Sequence, residues 1–216
     1  MSEPSRPAQA PPGAAAHLLV FARVPALGQG KSRLAAGIGA AAALAVYREL
    51  LALTRAAVAA AGWPATVWLA GTAGPEPTAL EAREWPGLAA RAQLPGDLGQ
   101  RMAAAFTAAF AAGAARVAII GTDCPGLGPD HLAAAVDQLA HHDLVLGPAA
   151  DGGYYLLGLR APQPALFQHK AWGTASVLAD TLADARRLGL RVALLPELRD
   201  VDTAADLAAW RAEKLP

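Results

Sequence analysis

The sequence predicts a three-layer α/β/α sandwich built on a mostly parallel, mixed sheet. Short apolar runs alternate along the chain with helical stretches of about 10 to 20 residues, the pattern of βαβ units. Several runs are continuously apolar, as strands covered on both faces must be. One of them, Arg116 to Ile120, runs into Gly121-Thr122-Asp123-Cys124-Pro125. Asp123 therefore sits just past the carboxyl end of a strand, the edge where open α/β sheets bind ligands. A carboxylate there serves either a metal or phosphate site or the cap of the next helix.

In chain order, residues 1–16 hold a Pro-, Ser- and Ala-rich stretch without an apolar core, which reads as a disordered tail. His17 to Val24 is a first strand, and Pro25 to Arg33 a loop with glycines and cations. Residues 40–61 place Leu44, Tyr47, Leu51 and Val58 at helical spacing, and Gly62 and Pro64 end that helix. Thr66 to Ala70 is a strand, Glu76 to Glu84 a short polar helix and Leu88 to Gln93 a short strand. Gln100 to Ala112 is a helix carrying Met102, Phe106 and Phe110, closed by Gly113. Another helix starts at Pro129 with Leu132, Val136 and Leu139 inward. Asp143 to Gly147 and Tyr154 to Leu159 are strands, Thr174 to Leu188 a helix, Arg191 to Leu195 a strand and Thr203 to Glu213 a last helix. Residues 17–216 show no linker, so one domain is expected.

Composition narrows the function. At 216 residues the chain can bury about 70% of its unfolded surface without staples. Eighteen basic and eighteen acidic residues cancel, so neither nucleic acid nor an anionic membrane is an expected partner. A single cysteine, Cys124, rules out an internal disulfide framework and fits a reducing, cytoplasmic location. No apolar run approaches the roughly 18 residues that span a bilayer. A homodimer stays open, because the Ala-rich helix suits either a core or a partner copy.

Four constellations can carry chemistry. In Gly28-Gln29-Gly30-Lys31-Ser32-Arg33, glycines let backbone amides approach a phosphate, and Lys31 and Arg33 can neutralise it. The phosphate-binding loop of P-loop NTPases is a competing reading, since Gly30, Lys31 and Ser32 match it. Pro25, however, stands at its first glycine, and Gly37 and Gly39 argue against a helix starting at the lysine. A solvated loop is the bland alternative. The stretch around Gly96, Asp97 and Arg101 is either an ordinary helix cap or an anion-binding loop. Asp151-Gly152-Gly153-Tyr154 is either a hairpin turn or a ligand contact of carboxylate, open backbone, ring and hydroxyl. Asp200-Val201-Asp202-Thr203 supplies a cap for the last helix and one carboxylate to spare. That spare group, Asp200 or Asp202, could join Asp123 on Mg2+, an ion that takes few protein carboxylates plus substrate phosphates. Cys124 has no base beside it and is not an expected nucleophile.

Together these stretches resemble a bacterial family of GT-A-like proteins, the cofC-like "transferase 1, rSAM/selenodomain-associated" group with a DUF2064 domain. The matching pieces are F-A-R-V-P-x-x-G-x-G-K-S-R-L at 21–34, G-D-L-G-Q-R-M at 96–102, G-T-D-C-P at 121–125, G-P-A-A-D-G-G-Y-Y-L-L-G-L at 147–159 and D-V-D-T-A-A-D-L at 200–207. The resemblance implies the Rossmann-like fold of nucleotide-diphospho-sugar transferases. It also implies Asp123, Lys31 and Arg33 as catalytic groups, with Gly28, Gly30, Ser32, Gly96, Asp97 and Arg101 binding nucleotide phosphates. By the same likeness, Asp151, Gly152, Gly153 and Tyr154 would meet the acceptor or sugar, and Asp123 and Asp202 would hold Mg2+ (or Mn2+). The superfamily's D-x-D motif has Pro125 in place of its second Asp, which favours a distant partner such as Asp202. The expected reaction moves NMP from an NTP to a phosphorylated small molecule. Glycosyl transfer from an NDP-sugar and a non-catalytic nucleotide-binding partner are the alternatives.

Overall fold

The computed structural model describes residues 16–213. Seven strands stand among them: β1 (Ala16–Arg23), β2 (Ala65–Ala70), β3 (Ala89–Ala92), β4 (Arg116–Ile120), β5 (Leu144–Pro148), β6 (Tyr154–Leu159) and β7 (Val192–Leu194). They form one sheet in the order β3-β2-β1-β4-β6-β5-β7. Every neighbouring pair is parallel except the two that involve β6, which runs antiparallel to β4 and β5. The sheet is thus mixed and mostly parallel, as the alternation of elements implied.

Three layers follow from how adjacent residues of one strand divide between two cores. Leu18 and Val20 of β1 pack with Tyr47, Leu51 and Val58 of α2 (Ala40–Ala61) and Leu132 of α4 (Pro129–Gln138). Leu19 points the other way, to Met102 and Phe106 of α3 (Leu98–Ala111). Ala118 and Ile120 of β4 face the first core, Val117 and Ile119 the second. The period of two in a pleated strand makes this division. Because both faces are covered, both sets of side chains are apolar, and each fully buried Leu contributes about 1.5–3 kcal/mol. The second face also carries Ala185 of α5 (Val177–Arg187). A third cluster joins Leu34 of α1 (Ser32–Ile38) to Trp210 of α6 (Ala204–Glu213).

The structure departs from the sequence expectation in three places. Helix α1 begins directly after Lys31, where Gly37 and Gly39 argued against a helix. Gly37 is there for close packing: a Cβ on it would meet the Ala204 Cβ at 2.8 Å, so α1 lies hard against α6. The polar helix expected over residues 76–84 is a series of turns. Glu81 closes one of these turns, accepting from the Thr78 and Ala73 amides at 2.7 Å. Pro77 and Pro86 leave too short a stretch to propagate a helix, and Trp85 turns into the core instead. Finally, Ala16 belongs to β1, paired with Arg116, while the rest of the expected tail lies outside the described residues. Among the described residues no helix is long and apolar enough to cross a membrane.

Candidate active site

A cleft of about 480 Å3 opens at the carboxyl edge of the sheet, above β1, β2 and β4. Its centre is Lys31, which caps α1 from a left-handed backbone position, φ 48°. A non-glycine residue held there costs roughly 1 kcal/mol or more, and such outliers gather at working sites. The Lys31 ammonium lies 2.7 Å from Asp123 Oδ1, 2.7 Å from Asp202 Oδ1 and 2.8 Å from the Val201 carbonyl. Three oxygens therefore meet the three donors of one ammonium. The lysine side chain is only 7% exposed, whereas the two carboxylates are 48% and 35% exposed. Burial works to lower the Lys31 pKa, but the two carboxylates outweigh it and hold it above its ordinary value.

The geometry resolves which acid partners Asp123. The cap of α6 is made by Thr203 and Asp206: Thr203 Oγ1 accepts from the Asp206 amide at 3.2 Å, and Asp206 accepts from the Thr203 amide at 2.7 Å. Asp202 is thereby free of capping and turns to Lys31. The Val201 amide donates to the Asp123 carbonyl at 2.9 Å, fastening the two loops together by their backbones. Asp200 shares the cleft without touching Lys31. Burial and the nearby charge of Asp151 push its carboxyl up to about 6. Between about pH 4 and pH 6 the native state then keeps a proton that the unfolded chain, with an ordinary Asp near 3.9, has lost. Stability falls as pH rises through that window. In EDTA, Asp200→Asn should therefore melt higher than wild type at pH 7, by about 1 kcal/mol once screening of this half-buried group is allowed for, and show no gain at pH 4. Equal shifts at both pH values would refute this account.

The remaining candidates divide. Gly30, Arg101, Asp151, Gly153 and Tyr154 line the cleft with Lys31 and Asp123. Gly28 and Ser32 lie instead beside a small hollow behind the loop, and Arg33 faces a separate hollow next to Asp206 and Trp210. Asp97 is the helix cap of the two readings: its side chain accepts from the Gln100 amide at 2.8 Å, and Gln100 Oε1 accepts from the Asp97 amide at 2.9 Å. Arg101 donates from Nε to the Gly96 carbonyl at 2.8 Å, which leaves its terminal nitrogens for the cleft. Asp151 Oδ1 accepts from the Gly153 amide at 2.8 Å, shaping the β5–β6 turn. The Tyr154 hydroxyl is buried without a hydrogen-bond partner, and that burial raises its pKa. Cys124 is buried and its thiol is pushed up by desolvation, in keeping with no nucleophilic role.

Three further residues belong to the cleft. Arg23, at the end of β1, brings a guanidinium with no ion pair among the described residues. Tyr47 reaches over from α2 and bridges the Arg23 backbone, accepting from its amide at 2.9 Å and donating to its carbonyl at 3.1 Å. Gln93 Nε2 donates to the carbonyls of Ala22 at 3.3 Å and Trp68 at 3.0 Å. Only an amide nitrogen suits two carbonyls, so Oε1 is the atom left to a ligand. The signal in the sequence was weak: Arg23 and Gln93 are isolated polar residues at strand ends.

Among the described residues, no three His, Cys, Asp or Glu side chains converge closely enough to hold a metal. Asp123 and Asp202 nevertheless fit a hard divalent cation that takes its other oxygens from water and substrate phosphates. Both reach the same point of positive charge, the Lys31 nitrogen, which shows that the pair accommodates a cation between them.

A family model described as an uncharacterised protein conserved in bacteria (DUF2064) matches residues 53–174. A Desulfovibrio desulfuricans G20 protein, provisionally called a nucleotide-diphospho-sugar transferase, is similar in structure. It shares 33% identity over 92% of this chain and 87% of its own, with a TM-score of 0.86. The manganese complex of Rv0371C from Mycobacterium tuberculosis H37Rv aligns at 16% identity over 91% of this chain and 97% of its own, with a TM-score of 0.57. The inositol-1-phosphate CTP transferase of T. maritima aligns at 13% identity over 93% and 95%, with a TM-score of 0.56. The last two share the fold alone. No curated protein matches the chain.

Proposed function

The chain belongs to the DUF2064 family of bacterial proteins, and from that premise we propose that it is a transferase acting at a nucleotide-linked phosphate. The preferred reaction moves NMP from an NTP to a phosphorylated small molecule. The observation that carries this reading is the Asp123–Lys31–Asp202 cluster, with the guanidiniums of Arg23 and Arg101 on the same cleft. Cations and a split carboxylate pair at one sheet edge suit a polyphosphate with its counter-ion.

Phe21, Ala70 and Leu98 give apolar walls for a base, and Gln93 Oε1 would accept from one of its N–H groups. Arg23 and Arg101 would neutralise the phosphate chain and align it. Asp123 and Asp202 would hold Mg2+ or Mn2+, which when bound supplies charge stabilisation at the phosphate oxygens. Tyr154 would line the acceptor side of the cleft beside Asp151. No protein nucleophile is needed, because positioning and electrostatics can supply the barrier reduction. Similar proteins act as a CTP transferase on inositol 1-phosphate and bind manganese, which supports nucleotide and divalent metal as ligand classes.

Glycosyl transfer from an NDP-sugar is the second reading, favoured by the provisional name of the D. desulfuricans relative. Trp172 and Tyr154 beside Asp151 would then face the sugar. A thermal-shift screen of NTPs and NDP-sugars, each with and without Mg2+, separates the two. A ligand at 100 times its Kd adds about 2.7 kcal/mol of stability. The preferred reading expects the largest Mg2+-dependent shift from an NTP, followed by pyrophosphate release with a matched acceptor. A larger shift from an NDP-sugar, with NDP as product, would replace it.

A further inference from the structure

We propose that Lys31 holds the place of the divalent cation, so that the cleft refuses free metal and takes cation and polyphosphate together, as one complex. The proposal rests on the reading that the cleft binds nucleotide phosphate, and it adds the form in which that ligand enters. Its basis is geometric. The Lys31 ammonium already neutralises the two carboxylates that fit a metal, at 2.7 Å from each. Its third contact is the Val201 carbonyl at 2.8 Å, so each of its donors faces a protein oxygen. At 7% exposure it is shielded from the solvent that would otherwise compete for it.

A free divalent cation arriving at Asp123 and Asp202 must therefore separate a buried ammonium from both carboxylates. Alone, it would leave that ammonium beside a second positive charge with no anion to receive it, and like charges at such range repel strongly. A polyphosphate changes the balance. It offers the displaced ammonium new oxygens and brings the cation with its charge already offset. Lys31 then passes from the carboxylates to the phosphate while the cation takes its former place. The left-handed backbone at Lys31, φ 48°, is the position from which the ammonium reaches the carboxylates. Coupling between two ligands is reciprocal, so the cation must tighten the polyphosphate by the same factor.

The test uses Mn2+ and inorganic tripolyphosphate, with no nucleotide and no turnover. Mn2+ affinity is read by electron paramagnetic resonance and calorimetry on the full chain. Wild type should bind Mn2+ at least tenfold more tightly with tripolyphosphate present than without it. Lys31→Met should bind Mn2+ alone at least tenfold more tightly than wild type does, with the tripolyphosphate coupling reduced. Should Lys31→Met fail to fold, Lys31→Gln, which keeps polar donors without the charge, is expected to show the same gain. Asp202→Asn should bind Mn2+ weakly under both conditions. The proposal is overturned if removing the lysine charge leaves the affinity for free Mn2+ unchanged, or if wild type binds Mn2+ equally with and without tripolyphosphate. Failure of every NTP to act as donor, with this Mn2+ behaviour present, would remove the assigned reaction while the lysine's role stood.

Discussion

Replacing Asp123 with Ala should abolish turnover and leave the fold nearly untouched. With the donor and acceptor identified by the ligand screen, kcat/KM is expected to fall by a factor of about a thousand or more, roughly 4 kcal/mol of transition-state stabilisation. The reason is position: Asp123 is one of the two carboxylates around the charge at the centre of the cleft. Its contribution to stability is small for equally local reasons. The side chain is 48% exposed, its ion-pair partner is Lys31, and half-exposed ion pairs contribute about 0–1 kcal/mol. Lys31 keeps Asp202 and the Val201 carbonyl after the change. The loop is held by the Val201 amide on the Asp123 carbonyl, a backbone contact that Ala preserves. Chemical denaturation should therefore show a change below about 1 kcal/mol. A loss of several kcal/mol would make Asp123 a structural residue, and retained turnover would move the reaction elsewhere in the cleft.

The fold was legible because its signals are local and repeated. Leu18-Leu19-Val20 and Val117-Ala118-Ile119-Ile120 are apolar at every position since each strand faces two cores. The expected bounds of the long helix, residues 40–61, are those of α2. What failed was local punctuation read without its tertiary partner. Gly37 looked like a helix breaker, but it is the residue that lets α1 lie against Ala204, a contact 167 positions away that no window on the sequence contains. Residues 76–84 looked like a short polar helix, yet the prolines on either side confine them to turns, one of them closed by the Thr78 amide on Glu81.

The site was legible at its centre and less so at its edges. Asp123 announced itself by ending a buried strand, whereas the sequence showed one acid more than a helix cap requires without saying whether Asp200 or Asp202 was the spare. The structure brings both to Lys31. Arg33 was grouped with Lys31 because they are two residues apart. A helix that starts between them turns successive side chains by about 100°, which sends Arg33 to the α6 side. The P-loop reading meets a comparable answer. The helix it needs does start at the lysine, yet the ammonium is committed to carboxylates from two other loops, and the sheet contains an antiparallel strand beside β4. Arg23, Tyr47 and Gln93 were passed over because each joins the cleft through the meeting of β1, α2 and the end of β3. That meeting is a property of the parallel sheet and not of any one segment.

The second large effect is expected at Gly152, and it tests how the acceptor side of the cleft is built. The β5–β6 turn is tied to α5 by its backbone: the Gly152 carbonyl accepts from the Leu178 amide at 2.9 Å. Gly152 itself has φ 88°, and a Cβ there would stand 2.3 Å from the Ala175 carbonyl oxygen and 2.7 Å from the Ala175 Cα. These are backbone atoms, which cannot swing aside as a side chain would. Gly152→Ala should combine a left-handed penalty of about 1 kcal/mol or more with an overpacking cost of about 1–3 kcal/mol, for a total near 2–4 kcal/mol in chemical denaturation. Because Asp151 and Tyr154 flank the position and line the cleft, turnover should fall with stability. Gly153→Ala is the matched control. Its φ lies outside the left-handed region, and its added Cβ would meet only Asp151 Oδ1, at 3.1 Å, the tip of a side chain that can rotate. A loss below about 1 kcal/mol is expected there, since the strain and the backbone collision are both missing. Equal losses at the two glycines would show that the turn tolerates no side chain at all, and the specific contact with Ala175 would then not be the cause.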